Sequence, residues 1–362
     1  SASRSRCLKS TVCSTVAKYP FAKSFCALAR RIVRAFTDEF IQSQRQLIHC
    51  ARLTAGPVSM LHRHILAAFL VAVLSACATQ TPPDASGVLV LQSDFGRSDG
   101  AVGAMHGVAL NVDRNLVLDD LTHDIPPFDV WAGAYRLHQA AAYYPAGTVF
   151  VSVVDPGVGT ERRSVVARIG DQYFVTPDNG TLSLVAGGGI DALREIDEAV
   201  NRIRGSTDSH TFHGRDVYAF TGPRLASGRI DFEGVGRALD PRDFVSITLP
   251  EAFVNADGVT GAIPILDIRY GNVWTNIGRP DMRAAGIAPG SLLLVRVLRD
   301  GQPVYTAEVP FTDTFADVAQ GAPLAYVNSL EELALALNQG SFAATHGIHS
   351  GPGWQVVIRR LR

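Results

Sequence analysis

The sequence predicts an α/β N-terminal domain with a mostly parallel sheet, followed by a smaller all-β C-terminal domain of barrel or sandwich type. Apolar runs alternate with amphipathic segments from Val88 to Val154 at the spacing of βαβ units. After about residue 255, short apolar runs separated by turn residues prevail. The 362 residues are 47% hydrophobic and 19% charged, which is typical of a globular chain with room for two domains. The net charge of -1 gives no reason to expect a nucleic-acid partner.

A change of composition at Met60 divides the chain. Residues 1–59 carry ten basic and two acidic side chains and four of the five cysteines, whereas no lysine occurs from Met60 onward. We therefore expect residues 1–59 to be foreign to the folded unit, either as a stretch upstream of the true start or as a presequence.

Residues 60–76 resemble a bacterial lipoprotein signal peptide. A basic start at Met60 is followed by a twelve-residue apolar run from Ile65 to Ala76 and then by Cys77. Such a run is too short to span a bilayer. We expect lipidation of Cys77, a tether over residues 77–87, and anchoring at the periplasmic face of the outer membrane of a Gram-negative bacterium if Met60 is the start. A buried helix that ends in cysteine is the alternative.

The N-terminal α/β domain is expected over residues 88–250. Continuous apolar runs that end in polar residues are typical of buried parallel strands, and apolar positions at helical spacing predict the covering helices. The predicted strands are Val88–Gln92, Leu116–Leu118 and Thr148–Val154, a hairpin joins Ser164–Ile169 to Tyr173–Thr176, and the predicted helices are Ala101–Val112, Val130–Tyr144 and Val217–Leu225.

The C-terminal β domain is expected over residues 255–362, after a proline-containing stretch. The dipeptide Asp300-Gly301 between two apolar runs predicts a hairpin. The predicted strands are Ile263–Tyr270, Val273–Ile277, Leu292–Leu298 and Val304–Val309, with one helix at Leu330–Leu337.

Three short strings place charged or imidazole side chains beside glycines where apolar runs stop. They are Ser93–Gly96, Val154–Arg163 and Thr211–Asp216. Loops at strand ends are where sites are built, and glycine lets the backbone approach a ligand. Together the strings supply a carboxylate, a guanidinium and an imidazole, which can hold and activate a water molecule.

With Thr122–Asp129, Pro177–Gly180 and Asp267–Ile277, these strings resemble the S-adenosyl-L-methionine hydroxide adenosyltransferases, the family related to fluorinase and chlorinase. The resemblance runs in collinear order over residues 88–345. It implies attack of water-derived hydroxide on ribose C5′, releasing adenosine and methionine, with no cofactor besides the substrate. It also implies that the catalytic set is Asp155, Arg162 and His213, although Arg163 remains an alternative to Arg162.

The same resemblance implies the substrate-binding residues. Asp94 would hold the ribose hydroxyls, Phe128 and Phe212 would form aromatic walls, Asp267 would contact the methionine amino group, and Asn272 would contact the adenine edge. Ser329 lies where the family closes its pocket. Read singly, Asp94 has a structural alternative as a helix cap and Asn272 as a turn residue. The two phenylalanines have an alternative as core residues.

The resemblance further implies a homotrimer whose pocket lies between the N-terminal domain of one subunit and the C-terminal domain of a neighbour. Two other functions stay open: a lipid-anchored protein that binds a nucleoside or S-adenosylmethionine without turnover, and a halide adenosyltransferase. Asp155 stands where fluorinase has a tyrosine, which disfavours the halide adenosyltransferase.

No metal is expected, because the candidate ligands match no zinc spacing. Those candidates are Asp94, Asp99, His123, Asp124 and Asp155.

Overall fold

The computed structural model describes residues 85–361 except residue 257. The expected extension 1–59, the expected signal peptide 60–76, Cys77 and most of the tether therefore lie outside the described residues. Within the described part of the chain, no helix combines the length and apolar character that a bilayer crossing requires.

A seven-stranded sheet organises the N-terminal domain, in the order β2-β1-β3-β5-β4-β6-β7. The strands are β1 Val88–Ser93, β2 Val117–Thr122, β3 Val149–Val153, β4 Ser164–Ile169, β5 Gln172–Pro177, β6 Ala192–Glu195 and β7 Ala238–Leu239. The four neighbours β2, β1, β3 and β5 are parallel, and β4, β6 and β7 add antiparallel pairings. The predicted α/β class and the β4–β5 hairpin are confirmed.

Helices cover both faces of this sheet. They are α1 Ala101–Val112, α2 Val130–Ala141 and α3 Ala219–Ala226, the last preceded by a π-helical turn at Gly214–Tyr218 and followed by a 3-10 turn at Glu233–Val235. Met105 of α1 packs with Leu89 and Leu91 on one face, whereas Leu137 of α2 packs with Val90 on the other. Because both faces of β1 are buried, its first four residues, Val88 to Leu91, are a continuous apolar run. The carboxyl ends of β1 and β3 meet at one edge.

The C-terminal domain consists of two antiparallel sheets, ordered β10-β11-β15-β14 and β13-β12-β16-β9-β8. Its strands are β8 Phe253–Asn255, β9 Gly258–Ala262, β10 Ile265–Leu266, β11 Val273–Gly278, β12 Leu292–Arg299, β13 Gln302–Pro310, β14 Pro323–Val327, β15 Glu332–Leu337 and β16 Trp354–Arg360. Short helices occur at α4 Arg279–Ala284 and α5 Phe342–His346, with a 3-10 turn at Phe315–Asp317. The all-β class is confirmed.

The hairpin between β12 and β13 has the turn that its sequence predicts. Asp300 and Gly301 have φ angles of 49° and 78°. Two successive residues with positive φ are the requirement of a type I′ turn, which matches the twist of the flanking strands.

The predicted helix at Leu330–Leu337 is wrong, because Glu332–Leu337 form β15 between β11 and β14. Residues Leu333 to Ala336 are all fully buried. A strand that is covered on both faces shows no alternation, so its Leu and Ala residues read as a helix until pairing with two neighbours overrides their propensity.

Of the predicted strand Ile263–Tyr270, only Ile265–Leu266 form a strand, β10, and the rest of the prediction is wrong. A turn begins at Asp267, whose carboxylate accepts the backbone N–H groups of Arg269 and Tyr270. The N–H of Gly271 closes the turn by donating to the Asp267 carbonyl. This local hydrogen bonding competes with the sheet ladder and ends the strand.

Candidate active site

Asp155, Arg162 and His213 form one hydrogen-bonded cluster beyond the carboxyl end of β3. Arg162 Nε donates to Asp155 Oδ1 at 2.9 Å and Nη2 donates to Oδ2 at 2.5 Å, which is a bidentate ion pair. The same Nη2 lies 3.0 Å from His213 Nδ1. Because a guanidinium can only donate, Nδ1 accepts, and the proton of a neutral His213 is on Nε2.

The remaining contacts of Arg162 fix its guanidinium. Nη1 donates to Ser164 Oγ at 2.9 Å, and this hydroxyl lies 3.1 Å from the Tyr218 hydroxyl. The guanidinium carbon is 5.7 Å from the centroid of the Tyr218 ring. Burial opposes the charge of Arg162, but its bond to Asp155 leaves the pKa of the guanidinium raised. A fixed positive charge therefore lies beside the carboxylate.

Arg163 faces a different set of partners. It forms ion pairs with Asp178 at 2.6 Å and with Asp243 at 2.8 Å, and it also donates to the backbone oxygen of Asp243. Of the two adjacent arginines, the structure brings Arg162 and not Arg163 to Asp155 and His213.

The imidazole of His213 keeps one polar atom unpaired. His213 is buried, and its Nε2 has no hydrogen-bond partner among the described residues. Burial lowers the pKa of His213; Glu198 opposes this, Arg162 and Arg202 lower the pKa further, and Asp155 raises it more weakly. The imidazole is therefore neutral at pH 7 and offers an N–H donor at Nε2 to a ligand.

A cavity of about 280 Å³ adjoins this cluster. It is lined by Asp94, Phe95, Pro127, Phe128, Val153, Asp155, Val158, Thr211, Phe212, His213 and Gly214. Four of the strings identified from the sequence thus meet at one place, and the predicted residues Asp94, Phe128, Asp155, Phe212 and His213 share this lining. The carboxyl ends of β1 and β3 and the π-helical turn bring them together.

Phe128 is held in an uncommon conformation at the mouth of this cavity. Its φ is 69° and 72% of its surface is exposed. Its backbone N–H donates to Asp94 Oδ2 at 2.9 Å. A bulky residue with positive φ carries strain of about 1–3 kcal/mol, and such strain concentrates at ligand sites. Phe128 thus combines an uncommon backbone conformation with a position in the cavity lining.

Gly214 allows the π-helical turn to lie against the aromatic wall. A Cβ atom at this position would be 2.9 Å from Cζ of Phe95. Phe95 in turn packs edge-to-face on Phe212, with ring centroids 5.5 Å apart. π-Helical turns occur often at functional sites, but the sequence analysis predicted only a regular helix from Val217.

A second cavity, of about 700 Å³, lies in the C-terminal domain. Its lining consists of Arg269, Tyr270, Asn272, Phe315, Tyr326 and the segment 337–341. Asn272 Nδ2 donates to the Tyr326 hydroxyl at 3.2 Å. Sequence reasoning singled out Asn272 but missed Phe315 and Tyr326. Nothing beyond their aromatic character in a strand-rich region distinguishes these two residues in the sequence.

The structure does not bring Asp267, Asn272 or Ser329 into the cavity of Asp155. Asp267 is held in the turn after β10 and lines neither cavity, and Ser329 is exposed and also lines neither. Nor are the metal ligands considered from the sequence assembled. Over residues 85–361 apart from residue 257, the one group of three or more close candidate ligands is His106, Asp120 and His123.

Comparison with known families and proteins agrees with this geometry. The SAM hydroxide adenosyltransferase N-terminal domain matches residues 89–236, and the C-terminal domain of the same family matches residues 261–355. The (R)-S-adenosyl-L-methionine hydrolase of Salinispora tropica is 39% identical over 269 residues, which are 73% of this chain and 95% of that protein. A fluorinase of Actinopolyspora mzabensis is 30% identical over 301 residues, covering 75% of this chain and 97% of that protein.

A solved structure gives the same result. The uncharacterized conserved protein from Thermotoga maritima is 31% identical and superposes with a TM-score of 0.69, over 75% of this chain and 100% of that chain. The family predicted from the sequence strings is confirmed: the chain belongs to the SAM hydroxide adenosyltransferase family.

Proposed function

We propose that the protein hydrolyses S-adenosyl-L-methionine to adenosine and L-methionine. The observation that carries the proposal is the cluster of Asp155, Arg162 and His213 beside a cavity, in a chain that is 39% identical to a relative named S-adenosyl-L-methionine hydrolase. The (R)-S-adenosyl-L-methionine hydrolases of Salinispora arenicola and Thermus thermophilus are 38% and 33% identical to this chain.

The reaction needs a strong nucleophile more than it needs a strong acid. As the new O–C5′ bond forms, the C5′–S bond breaks and its electron pair goes to sulfur. The sulfonium thereby becomes the neutral thioether of methionine, so no proton has to be supplied to the leaving group. The demand on the protein is to remove a proton from water and to stabilise the hydroxide that results.

The hydrogen bonds of the cluster support a division of these tasks among its three residues. Asp155 is the proton acceptor, since a carboxylate has lone pairs left after a bidentate contact. Arg162 stabilises the hydroxide by its fixed positive charge. His213 already accepts a hydrogen bond at Nδ1, so in its neutral form it orients the oxygen through the Nε2–H rather than acting as the base.

We propose that the cavity walls bind the ribose and the sulfonium. Asp94 would accept hydrogen bonds from the ribose hydroxyls, and the faces of Phe128 and Phe212 would attract the sulfonium as they attract other cations. Exclusion of bulk water by these rings would strengthen the attraction between hydroxide and sulfonium.

We also propose a homotrimer in which a neighbouring subunit completes the site. A cavity of about 280 Å³ is small for a whole S-adenosylmethionine, because ligand pockets measure roughly 300–1,000 Å³. The larger cavity of the C-terminal domain contains Asn272 for the adenine edge, and Asp267 lies in the adjoining turn, where it could bind the amino group. Ile268 and Tyr270 on this turn are exposed apolar residues suited to an interface. A molar mass of three chains in light scattering supports this, and a monomer that turns over contradicts it.

The lipid anchor at Cys77 is a separate proposal, supported by the order of basic start, apolar run and cysteine over residues 60–77. It predicts a periplasmic, membrane-associated protein. Intact mass of protein extracted from membranes would show a lipidated chain that begins at Cys77, whereas an unmodified chain that retains residues 1–59 contradicts the anchor.

Incubation of the purified protein with S-adenosyl-L-methionine, followed by chromatography, tests the function. We expect equal amounts of adenosine and methionine. Binding of S-adenosylmethionine without either product would favour the binding protein. A halogenated deoxyadenosine formed on addition of fluoride or chloride would favour the halide transferase, to which the similarity to fluorinases points.

A further inference from the structure

A second cluster of polar groups lies at the carboxyl end of β2, outside the catalytic cavity. His106 comes from α1, Asp120 from β2, and His123 directly follows that strand. Nε2 of His106 is 2.8 Å and Nε2 of His123 is 3.1 Å from Asp120 Oδ1. One ligand atom from each residue lies within 4.8 Å of the other two.

We propose that His106, Asp120 and His123 bind a divalent transition-metal ion. Two imidazole nitrogens and one carboxylate oxygen are a donor set that Zn²⁺ accepts, with a water molecule in the fourth position. Ligand atoms around tetrahedral zinc are about 3.3 Å apart, given metal–ligand distances of about 2.0–2.2 Å. The two separations from Asp120 Oδ1 are close to this value, and the two imidazole nitrogens lie within 4.8 Å of each other, so side-chain rotations suffice to admit an ion.

The contacts of His123 orient it as a ligand. Its side chain is fully buried, and its Nδ1 lies 2.7 Å from Ser93 Oγ. Without an ion, the Nε2–H of His123 donates to Asp120 and Nδ1 accepts from the Ser93 hydroxyl. An ion at Nε2 shifts this proton to Nδ1, which then donates to Ser93 Oγ. A ligating histidine usually donates its other N–H to such a partner, which fixes the tautomer and the ring. One ligand is therefore pre-oriented before any ion arrives.

Access to the cluster comes from the side of His106. The side chain of His106 is 33% exposed, whereas that of Asp120 is 16% exposed. The His106 and His123 rings are 6.5 Å apart and inclined by 66°, so their nitrogens approach the carboxylate from different directions. An ion can therefore reach the three donors from solvent.

Arg97 gives the proposal its sharpest consequence. Its Nη2 donates to Asp120 Oδ2 at 3.0 Å, and its side chain is 55% exposed. This cation neutralises the carboxylate and repels an incoming ion. Removal of the Arg97 charge should therefore strengthen metal binding, while loss of the His106 ligand should weaken it. A cluster that is only a hydrogen-bonded part of the structure predicts no metal-binding change in either variant.

The test is equilibrium dialysis of the full chain against Zn²⁺, with bound zinc measured by mass spectrometry. Thiols also bind zinc, so they are first blocked with N-ethylmaleimide. All five cysteines precede residue 78, so this treatment does not modify the proposed site. Histidines before residue 85 are the same in every variant and cancel in the comparison. We expect wild type and the matched control H349Q, an exposed histidine of the C-terminal domain, to bind one more equivalent than H106Q.

We further expect R97Q to bind this equivalent about tenfold more tightly than wild type. Equal zinc stoichiometry in wild type and a folded H106Q, as judged by thermal unfolding, overturns the proposal. If H106Q does not fold, R97Q decides, and a zinc affinity equal to that of wild type or weaker overturns the proposal.

Discussion

Two clusters in the N-terminal domain combine an aspartate, an arginine and histidine, yet they differ in how the arginine is held. Arg162 is largely buried and contacts both oxygens of Asp155. It also contacts Nδ1 of His213, whose Nε2 has no partner among the described residues. Arg97 is exposed and contacts one oxygen of Asp120, and two histidines share the other. The buried Arg162 beside Asp155 suits the stabilisation of an anionic nucleophile. The exposed Arg97 can instead move away from Asp120, so that the carboxylate and the two imidazoles can bind a metal ion. The same residue types therefore support different chemistry.

The largest effect is expected from D155N. The amide keeps the shape of the side chain but cannot accept a proton, so turnover should fall about 10³-fold, within the range of a general base. Adenosine formation measures turnover, and calorimetry should still detect binding of S-adenosylmethionine. The control is D243N, which alters an exposed carboxylate paired with Arg163 and should change turnover less than twofold. Similar losses in both variants would remove Asp155 from its catalytic role.

The next effect separates the two adjacent arginines. Lysine cannot reproduce a bidentate contact, so R162K should lower kcat about 10²-fold. R163K alters only the pairs with Asp178 and Asp243 and should leave kcat within about twofold. Steady-state kinetics of the pair provide the measurement. The opposite order would show that Arg163 serves the site.

A smaller effect concerns pH. Burial lowers the pKa of His213, so the neutral imidazole persists below its ordinary pKa of about 6.5. Turnover should stay constant as pH falls to 6.5 and decline only at lower pH, because protonation of Nδ1 breaks the hydrogen bond from Arg162. Protonation of His213 also favours unfolding. Its contribution to the free energy of unfolding is therefore complete above about pH 6.5 and is lost progressively as pH falls through the lower folded-state pKa. An acid limb of kcat that is centred above pH 6.5 in wild type would contradict this assignment.

The smallest effect is expected from F128A. Phe128 is mostly exposed, so the free energy of unfolding should change by less than about 0.5 kcal/mol. If its ring attracts the sulfonium, KM should rise about five- to tenfold, as expected for the loss of a cation–π contact. The control is F253A, which removes another exposed phenylalanine that lines neither cavity and should leave KM unchanged. An unchanged KM in F128A would remove the residue from the binding site.

Much of the fold could be predicted because local patterns and tertiary structure agree. Val88 to Leu91 of β1 are all apolar because both faces of the strand are covered. Asp300-Gly301 adopts the two positive φ angles that a type I′ hairpin requires. β15 could not be predicted, because its buried Leu and Ala residues lack alternation and only pairing with β11 and β14 makes them a strand.

The residue types of the site could be predicted from the sequence, but the hydrogen-bond and ion-pair partners of each residue could not. Arg162 and Arg163 are neighbours with the same side chain, and only the partners that folding supplies, Asp155 for one and Asp178 for the other, separate them. The pairing of His106 with Asp120 likewise depends on how α1 packs beside β2, which no spacing in the sequence encodes.

The most direct test of the central claim is to determine which product receives the oxygen atom of the attacking water. S-Adenosyl-L-methionine is incubated with the protein in water enriched in ¹⁸O, and the products are separated and weighed by mass spectrometry. Attack of activated water on C5′ predicts one ¹⁸O in the 5′-hydroxyl of adenosine and none in methionine. Label in an amino-acid product, or release of methylthioadenosine in place of adenosine, would contradict the account.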